Sequence, residues 1–235
     1  MTSVAILQPG YLPWLGFFDQ MASVDVFVYY DDVQFDKHGW RNRNRIKVPG
    51  GFTWLTVPVF HAGRDKPRID AVRIDNSRDW RRKHLGTLRQ YYAHAEYATP
   101  YLQELERLLE RGWSLLAELD IAVIEMMRDW LDIRTPTVRS SALGIGGGQS
   151  ERLLNICRHF GATTYLSGAA ARDYLDAGIF EAQGIRVHWQ DYRHPVYPQQ
   201  HGAFIPHLSA IDLIFNAGKR SPILFREPQE SGEKQ

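Results

Sequence analysis

The sequence predicts an α/β protein built on a mostly parallel, doubly wound, Rossmann-like sheet with an inserted helical block. Short apolar segments of strand length recur at residues 4–7, 26–30, 163–166 and 185–191. Segments with the 3.6-residue spacing of an amphipathic helix lie between them. Loops rich in glycine, proline and polar residues follow the strands directly. Strands that alternate with helices favour a parallel sheet covered by helices on both faces.

The first part of the chain predicts four strands and then a helix. Residues 4–7 and 26–30 flank a short helix, and residues 52–59 alternate as a third strand with Pro58 near its end. Residues 68–74 alternate charged and apolar side chains, as in a more exposed strand. The polar residues 75–77 predict the N-cap of a helix whose apolar face includes Trp80 and Leu88.

The remaining elements complete a single domain over residues 1–225. Helices predicted at 101–111 and about 114–131 extend a helical insertion that covers about 76–132. A strand at 137–141, a glycine loop at 146–148 and a helix from Gln149 or Ser150 follow. Residues 163–166 are a strand, 169–175 are helical and 185–191 are the final strand. Residues 226–235 are predicted to form a flexible tail.

Composition excludes several broad classes of protein. The chain has 28 basic and 27 acidic residues, so its formal charge of +1 gives no general attraction for nucleic acid or an anionic membrane. The single cysteine, Cys157, cannot form an intramolecular disulfide and fits a core position. No basic leader with an apolar region begins the chain, and no apolar run reaches the ~18 residues of a membrane span. We expect a cytoplasmic protein.

The first loop, residues 8–16, is predicted to face a ligand. It follows a strand directly and contains two prolines, two glycines, Tyr11 and Trp14. Open α/β sheets bind ligands at the carboxyl ends of their strands. Gln8 offers an amide and Tyr11 a hydroxyl, while Trp14 offers a flat apolar surface. The alternative is a tight turn packed by aromatic residues.

The second strand ends in two adjacent acids, Asp31 and Asp32. Neighbouring residues of an extended strand point to opposite faces, so the two carboxylates make a poor acid/base pair and a poor metal site. Asp32 is a candidate general base or an anchor for a substrate ammonium, and a turn cap is the equal alternative. Gln34 follows closely and is assigned to substrate binding.

A basic stretch runs from Lys37 and His38 to Lys47. If residues 40–46 are extended, Arg41, Arg43 and Arg45 share one face, and Asn42 and Asn44 share the other. Guanidinium groups make bidentate contacts with phosphate. We therefore predict that this stretch contacts the substrate, with phosphopantetheine, a sugar nucleotide and RNA all as candidate partners. A solvated strand face is the alternative. The residues assigned to binding are Arg41, Asn42, Asn44 and Arg45.

Two later strand ends offer weaker candidates. The glycine-rich residues 144–150 precede a helix, where anions bind readily, but they lack the lysine of a phosphate-binding P-loop. Ser167 and Gly168 end another strand. Because no Gly-x-Ser-x-Gly elbow surrounds Ser167, a wall of the binding pocket is favoured over a nucleophile.

The histidines suggest acid/base chemistry rather than a metal. None of the nine histidines shows the spacing of a zinc motif, so neither a metal nor a cofactor is assigned. His194 follows the last strand and would bring a group of near-neutral pKa to the crevice. The alternative is a histidine on a surface loop. Asp212 lies in an apolar stretch, where a buried carboxylate needs a partner.

Six separated blocks resemble the WbqC-like family. They are residues 8–18 (Gln-Pro-Gly-Tyr-Leu-Pro-Trp-Leu-Gly-Phe-Phe), 31–35 (Asp-Asp-Val-Gln-Phe), 42–46, 54–59, 194–197 (His-Pro-Val-Tyr) and 208–218. The resemblance covers about residues 4–218. Its His-Pro-Val-Tyr block, residues 194–197, favours site roles for His194 and Tyr197. It implies a protein of bacterial O-antigen or secondary-metabolite gene clusters that attaches glycyl or other acyl groups to amines.

From this resemblance we expect an acyl or aminoacyl transferase that forms an amide on a small amine, such as an amino sugar or an amino acid. The donor would be a carrier-bound thioester or an aminoacyl-tRNA. His194 or Asp32 would accept the proton of the amine, and Gln8 or Tyr11 would stabilise the oxyanion. One alternative is an ATP-dependent nucleotidyl transferase or ligase like pantothenate synthetase, although His-x-Gly-His is absent. The other is a non-catalytic binding protein of such a pathway.

Overall fold

The computed structural model describes residues 1–36, 39–60 and 67–226. A five-stranded sheet has the strand order β5-β2-β1-β6-β7, and all of its pairings are parallel. A separate antiparallel hairpin pairs β3 with β4. The strands are β1 Thr2–Leu7, β2 Val26–Tyr29, β3 Arg43–Val48, β4 Gly51–Thr56, β5 Thr137–Arg139, β6 Ala162–Ser167 and β7 Arg186–Trp189.

Helices cover both faces of the sheet, which confirms the predicted doubly wound α/β fold. Alternate residues of each strand point to opposite faces. Thus Ala5 and Phe27 lie in one buried cluster, whereas Val4 and Val28 lie in another. The helices are α1 Leu15–Ala22, α2 Trp80–Tyr91, α3 Ala98–Leu109, α4 Leu116–Trp130, α5 Gln149–His159, α6 Ala177–Glu181, α7 Ile211–Ala217 and α8 Ser221–Arg226.

Three helices, α2 to α4, occupy the part of the chain where a helical insertion is predicted. Their buried residues, such as Leu88, Leu105 and Ile124, share one core with Phe18 of α1 and Phe215 of α7. The insertion therefore packs directly on the face of the sheet that carries Ala5 and Phe27. The predicted tail begins at Arg226, which ends α8, and residues 227–235 lie outside the described part of the chain.

Of two further strand predictions, one is confirmed and one is wrong. The strand predicted at 52–59 is present as β4 Gly51–Thr56, which pairs with β3 through a turn at Gly50 and Gly51 and lies outside the five-stranded sheet. Residues 68–74 do not form a regular strand. They contain a 3-10 turn at Ile69–Ala71, and their backbone groups bond to loops instead, for example Ile69 N to Val33 O at 2.8 Å.

The start of α2 differs from the sequence prediction. Residues 75–77 form a turn, and α2 begins at Trp80 after Asp79 in the N-cap position. The segment predicted to be helical at 169–175 contains a 3-10 helix, Ala169–Asp173. Cys157 is buried as predicted, and burial raises the pKa of its thiol to about 12. Within the described ranges, every helix is too short or too polar to cross a membrane.

Candidate functional site

A pocket of about 870 Å³ opens at the carboxyl ends of β1 and β6. These neighbouring strands form the switch point of the sheet, because β2 and β5 lie on one side of the pair and β7 lies on the other. Ligands of open α/β sheets bind at such a point. Leu7 and Gln8 border the pocket from the end of β1, and Ser167 and Gly168 border it from the end of β6.

The pocket has aromatic walls and a limited number of polar groups. This composition is typical of sites for small organic molecules. Aromatic side chains that line it are Trp14, Phe17, Tyr30, Trp40, Tyr165 and Tyr174. Polar side chains that line it are Gln8, Gln20, Arg41, Asn44, Arg45, Gln149, Ser150, Ser167 and His207.

Arg41 fixes the first loop at the edge of the pocket. Its Nη1 donates to the carbonyl oxygen of Gln8 at 2.8 Å, and the amide of Tyr11 donates to the carbonyl oxygen of Arg41 at 2.9 Å. The two segments are so close that a Cβ at Gly10 would lie 2.9 Å from the carbonyl oxygen of Trp40. Burial lowers the pKa of Arg41. Its guanidinium makes its hydrogen bonds to the backbone of the first loop, at the carbonyl oxygens of Gln8 and Pro9.

Arg45 lies among aromatic rings beside the pocket. Its guanidinium carbon is 4.7 Å from the ring centre of Phe52 and 5.1 Å from that of Trp40. Arg43 lies 4.7 Å above the ring of Trp54. Cation–π contacts of this kind orient a guanidinium without consuming its in-plane donors. We call these five residues, Trp40, Arg43, Arg45, Phe52 and Trp54, the aromatic rim.

Among the described residues, His207 is the histidine that lines the pocket. Its ring centre lies 5.3 Å from that of Trp14, and its carbonyl oxygen accepts from Arg45 Nη2 at 3.1 Å. The backbone has a φ of 60°, a left-handed conformation that costs energy for a residue other than glycine. Neighbouring amides fix it, because Ser209 N donates to Arg45 O and Ala210 N donates to Pro13 O.

His194, the predicted base, lies behind His207. The two ring centres are 5.2 Å apart, and His194 Nδ1 donates to the carbonyl oxygen of Pro195 at 2.8 Å. Its Nε2 is buried and has no hydrogen-bond partner among the described residues. Burial lowers the pKa of this imidazole. His194 does not line the pocket. His207, and not His194, occupies the pocket position that the sequence predicted for His194.

The two acids after β2 form hydrogen bonds that hold the segment after β5, at Ser140 and Ser141. Asp31 accepts hydrogen bonds from the amide and the hydroxyl of Ser141 at 3.0 and 2.8 Å. Asp32 accepts from Arg152 at 2.5 Å and from the hydroxyl of Ser140. Burial raises the pKa of Asp32, but these hydrogen bonds and the charge of Arg152 bring it below its usual value. Asp32 lies outside the pocket lining.

Tyr11 is buried on the far side of the first loop. The Nε2 of His84 is 3.1 Å from the carbonyl oxygen of Thr56, and a carbonyl oxygen only accepts. Nε2 therefore carries the hydrogen, and Nδ1 accepts from the Tyr11 hydroxyl at 3.1 Å. Burial raises the pKa of Tyr11 and lowers that of His84 to about 4. The hydroxyl of Tyr11 does not point to the pocket lining.

Tyr197 belongs to a second buried cluster, the Asp212 network. The carboxylate of Asp212 accepts from Tyr92 at 2.7 Å, from Tyr197 at 2.9 Å and from Gln199 at 2.8 Å. Lys47 is also buried and donates to Gln199 Oε1 at 2.9 Å. Burial raises the pKa of Asp212. As predicted, this buried carboxylate has partners.

The structure therefore divides the predicted site residues into two groups. Those that line the pocket are Gln8, Trp14, Arg41, Asn44, Arg45, Ser167 and Gly168. Those placed elsewhere are Tyr11, Asp32, Gln34, Asn42, His194 and Tyr197; Gln34 is exposed and Asn42 donates to the carbonyl oxygen of Val57. Lys37 and His38 lie outside the described residues.

Sequence reasoning missed four prominent lining residues, namely Tyr30, Trp40, Tyr174 and His207. Two of them carried a usable signal. Tyr30 ends the apolar segment that predicts β2, and His207 directly precedes the last family block, residues 208–218. Trp40 lies within the basic stretch, between Gly39 and Arg41. Tyr174 follows the 3-10 helix and gives no signal of this kind.

Comparison with known proteins identifies the family. The sequence matches the WbqC-like protein family over residues 8–223. The chain belongs to this family. This WbqC-like protein is similar to the uncharacterized protein Rv1507c of Mycobacterium tuberculosis (strain ATCC 25618 / H37Rv), with 39% identity over 228 residues, 96% of this chain and 98% of the relative. No solved structure matches the chain. The resemblance noted in the sequence is thus confirmed.

Proposed function

We propose that this WbqC-like protein is an acyl or aminoacyl transferase, which joins an activated acyl group to a small amine through an amide bond. The observation that supports this best is the position of His207. His207 lines an aromatic-walled pocket, and its carbonyl oxygen accepts a hydrogen bond from the guanidinium of Arg45, which lines the same pocket. Such a site offers a proton acceptor for an amine and a cation for an anionic donor.

In the proposed reaction, the nitrogen of the amine attacks the acyl carbon, and an N–C bond forms as the bond to the sulfur or oxygen of the donor breaks. His207 accepts the proton that the nitrogen loses and returns it to the leaving group. The side-chain amide of Gln8, which lines the pocket, is the candidate donor to the oxyanion. No covalent nucleophile is required.

The walls suggest how an amine is held. Trp14, Tyr30 and Tyr174 present aromatic surface to the pocket. An ammonium group is attracted to aromatic faces, by about 0.5 to 2 kcal/mol depending on its exposure to water. The ammonium releases one proton to solvent before attack, and His207 accepts the second as the amide forms. The volume of the pocket suits an amino acid or an amino sugar together with the acyl end of the donor. The proposal includes a cytoplasmic location, where carrier-bound donors are made.

The direct test is an assay of transfer by the purified protein. Glycyl-pantetheine and glycyl-tRNA serve as donors against a panel of amino acids and amino sugars, with products detected by mass spectrometry. We expect a glycyl amide whose formation needs His207. Failure of both donors with every amine would contradict the proposal. Pyrophosphate release from ATP in place of transfer would favour a nucleotidyl transferase instead.

A further inference from the structure

The aromatic rim combines exposed flat surface with two fixed cations. Trp40 and Phe52 are each 44% exposed and Trp54 is 38% exposed, which is unusual for such large apolar side chains. The rings of Trp40 and Trp54 lie 5.0 Å apart. The rim adjoins the pocket, because two of its residues, Trp40 and Arg45, also line the pocket. A ligand that fills the pocket can therefore extend over the rim.

The chemistry of the rim indicates the class of ligand. Stacking on tryptophan and phenylalanine suits a flat ring, and nucleobases stack on such side chains with little dependence on their identity. Guanidinium groups suit phosphate. The only side-chain donor of Arg45 that bonds another described residue is Nη2, which contacts His207. A guanidinium has five donors, and the Nε of Arg45 is buried, so Nη1 and the second hydrogen of Nη2 are the donors that remain for a phosphate.

We infer that the aromatic rim binds a nucleoside phosphate unit, with its base on the exposed rings and its phosphate at Arg45 and Arg43. This inference rests on the proposed transferase and assigns the rim to the carrier of the acyl donor. The net charge of the chain is only +1, so attraction for phosphate depends on these local cations. Two guanidinium groups match one or two phosphates rather than a long strand.

The unit occurs in three kinds of donor: a free nucleotide, coenzyme A and the unpaired 3′ end of an RNA. Calorimetric titration with AMP tests the shared chemistry without any transfer reaction. Adenosine lacks the phosphate, and ribose 5-phosphate lacks the base. We expect AMP to bind at least about tenfold more tightly than either fragment. Coenzyme A and a short single-stranded RNA then identify the source, since the true carrier binds more tightly than AMP.

Two variants test the two halves of the rim. Arg45→Ala removes a charge-assisted contact, and Trp40→Leu removes a stacking ring while it keeps a smaller apolar side chain. Each should weaken AMP binding about tenfold. Arg134→Ala is the matched control, because Arg134 is exposed beyond α4 and pairs with Asp132. It should bind AMP as the unmodified protein does.

The outcomes separate this inference from the proposed function. Absence of AMP binding, equal binding of adenosine and AMP, or unchanged binding by a folded Trp40→Leu variant would overturn the nucleotide site. Trp40 is partly exposed, so this variant stays informative if Arg45→Ala fails to fold. If the protein nevertheless transferred glycine from glycyl-pantetheine, the proposed transferase activity would stand and only the nucleotide site at the aromatic rim would be refuted.

Discussion

The pocket and the buried polar clusters draw their side chains from the same short stretches of sequence, and only their surroundings differ. In the first loop, Gln8 lines the pocket, whereas the hydroxyl of Tyr11 bonds to His84 in the core. Near β3, Asn44 lines the pocket, whereas Asn42 holds the carbonyl oxygen of Val57. One family block therefore contains both a residue that lines the pocket and a residue whose buried hydrogen bond holds the same segment in place.

The two regions also differ in how their polar groups are satisfied. Every oxygen of the Asp212 carboxylate accepts hydrogen bonds from described side chains, and the cluster is shielded from water. His207 instead is exposed beside Trp14. A buried network stabilises the fold when each member has a partner. An exposed imidazole is available to a substrate. We predict that mutations in the pocket affect transfer, whereas mutations in the Asp212 network affect stability.

The largest expected effect is on transfer. His207→Gln removes the proposed proton acceptor and should lower kcat about 10²- to 10⁴-fold with little change in the melting temperature. His188→Gln is the control, because His188 is exposed on β7 and does not line the pocket. Transfer by His207→Gln at the unmodified rate would refute its role as the base.

The Asp212 network should show the opposite behaviour. Asp212→Leu leaves the hydroxyls of Tyr92 and Tyr197 and the amide of Gln199 without their shared acceptor. We expect the free energy of unfolding to fall by roughly 3 to 5 kcal/mol in urea titrations. Asp212→Asn keeps an acceptor oxygen and should lose less. A loss below about 1 kcal/mol would show that the network does not stabilise the fold.

His84 predicts a pH dependence of stability. Its pKa is about 4 in the folded protein against 6.5 when exposed, so the unfolded chain binds the proton more readily between these values. The stability from the neutral imidazole is complete above pH 6.5 and is lost as the pH falls towards 4, by roughly 3 kcal/mol in all. His84→Gln should have a flatter curve over this range. If the free energy of unfolding of the two proteins changed equally with pH, the low pKa of His84 in the folded protein would be contradicted.

The smallest expected effect concerns Tyr11, which the sequence suggested as an oxyanion donor. Tyr11→Phe deletes the hydroxyl that donates to His84 and should cost about 1 to 2 kcal/mol in the free energy of unfolding. Because the hydroxyl does not reach the pocket, kcat should stay within about twofold of the unmodified value. A large fall in kcat in a stably folded variant would show that the Tyr11 hydroxyl takes part in the reaction.

These differences show what the sequence could predict. Periodicity and loop position placed β1, β6 and the loops at the carboxyl ends, so Gln8, Trp14, Ser167 and Gly168 were found. Which polar residue of a loop faces a ligand depends on long-range packing. His194 and His207 are thirteen positions apart, and His207 is held at the pocket by long-range hydrogen bonds, those of Ser209 and Ala210 to Arg45 and Pro13 and that of Arg45 to its own carbonyl oxygen. Local sequence gives no measure of such contacts.

The central claim is that transfer occurs in the pocket at the carboxyl ends of β1 and β6. Ala169 and Ala170 are neighbours on one 3-10 helix, and both are exposed, but only Ala170 lines the pocket. The decisive measurement is kcat/KM for glycyl transfer by Ala170→Trp and Ala169→Trp. We predict a loss of at least about tenfold for Ala170→Trp alone, because the indole fills substrate space. Equal kcat/KM for the two folded variants would contradict the claim.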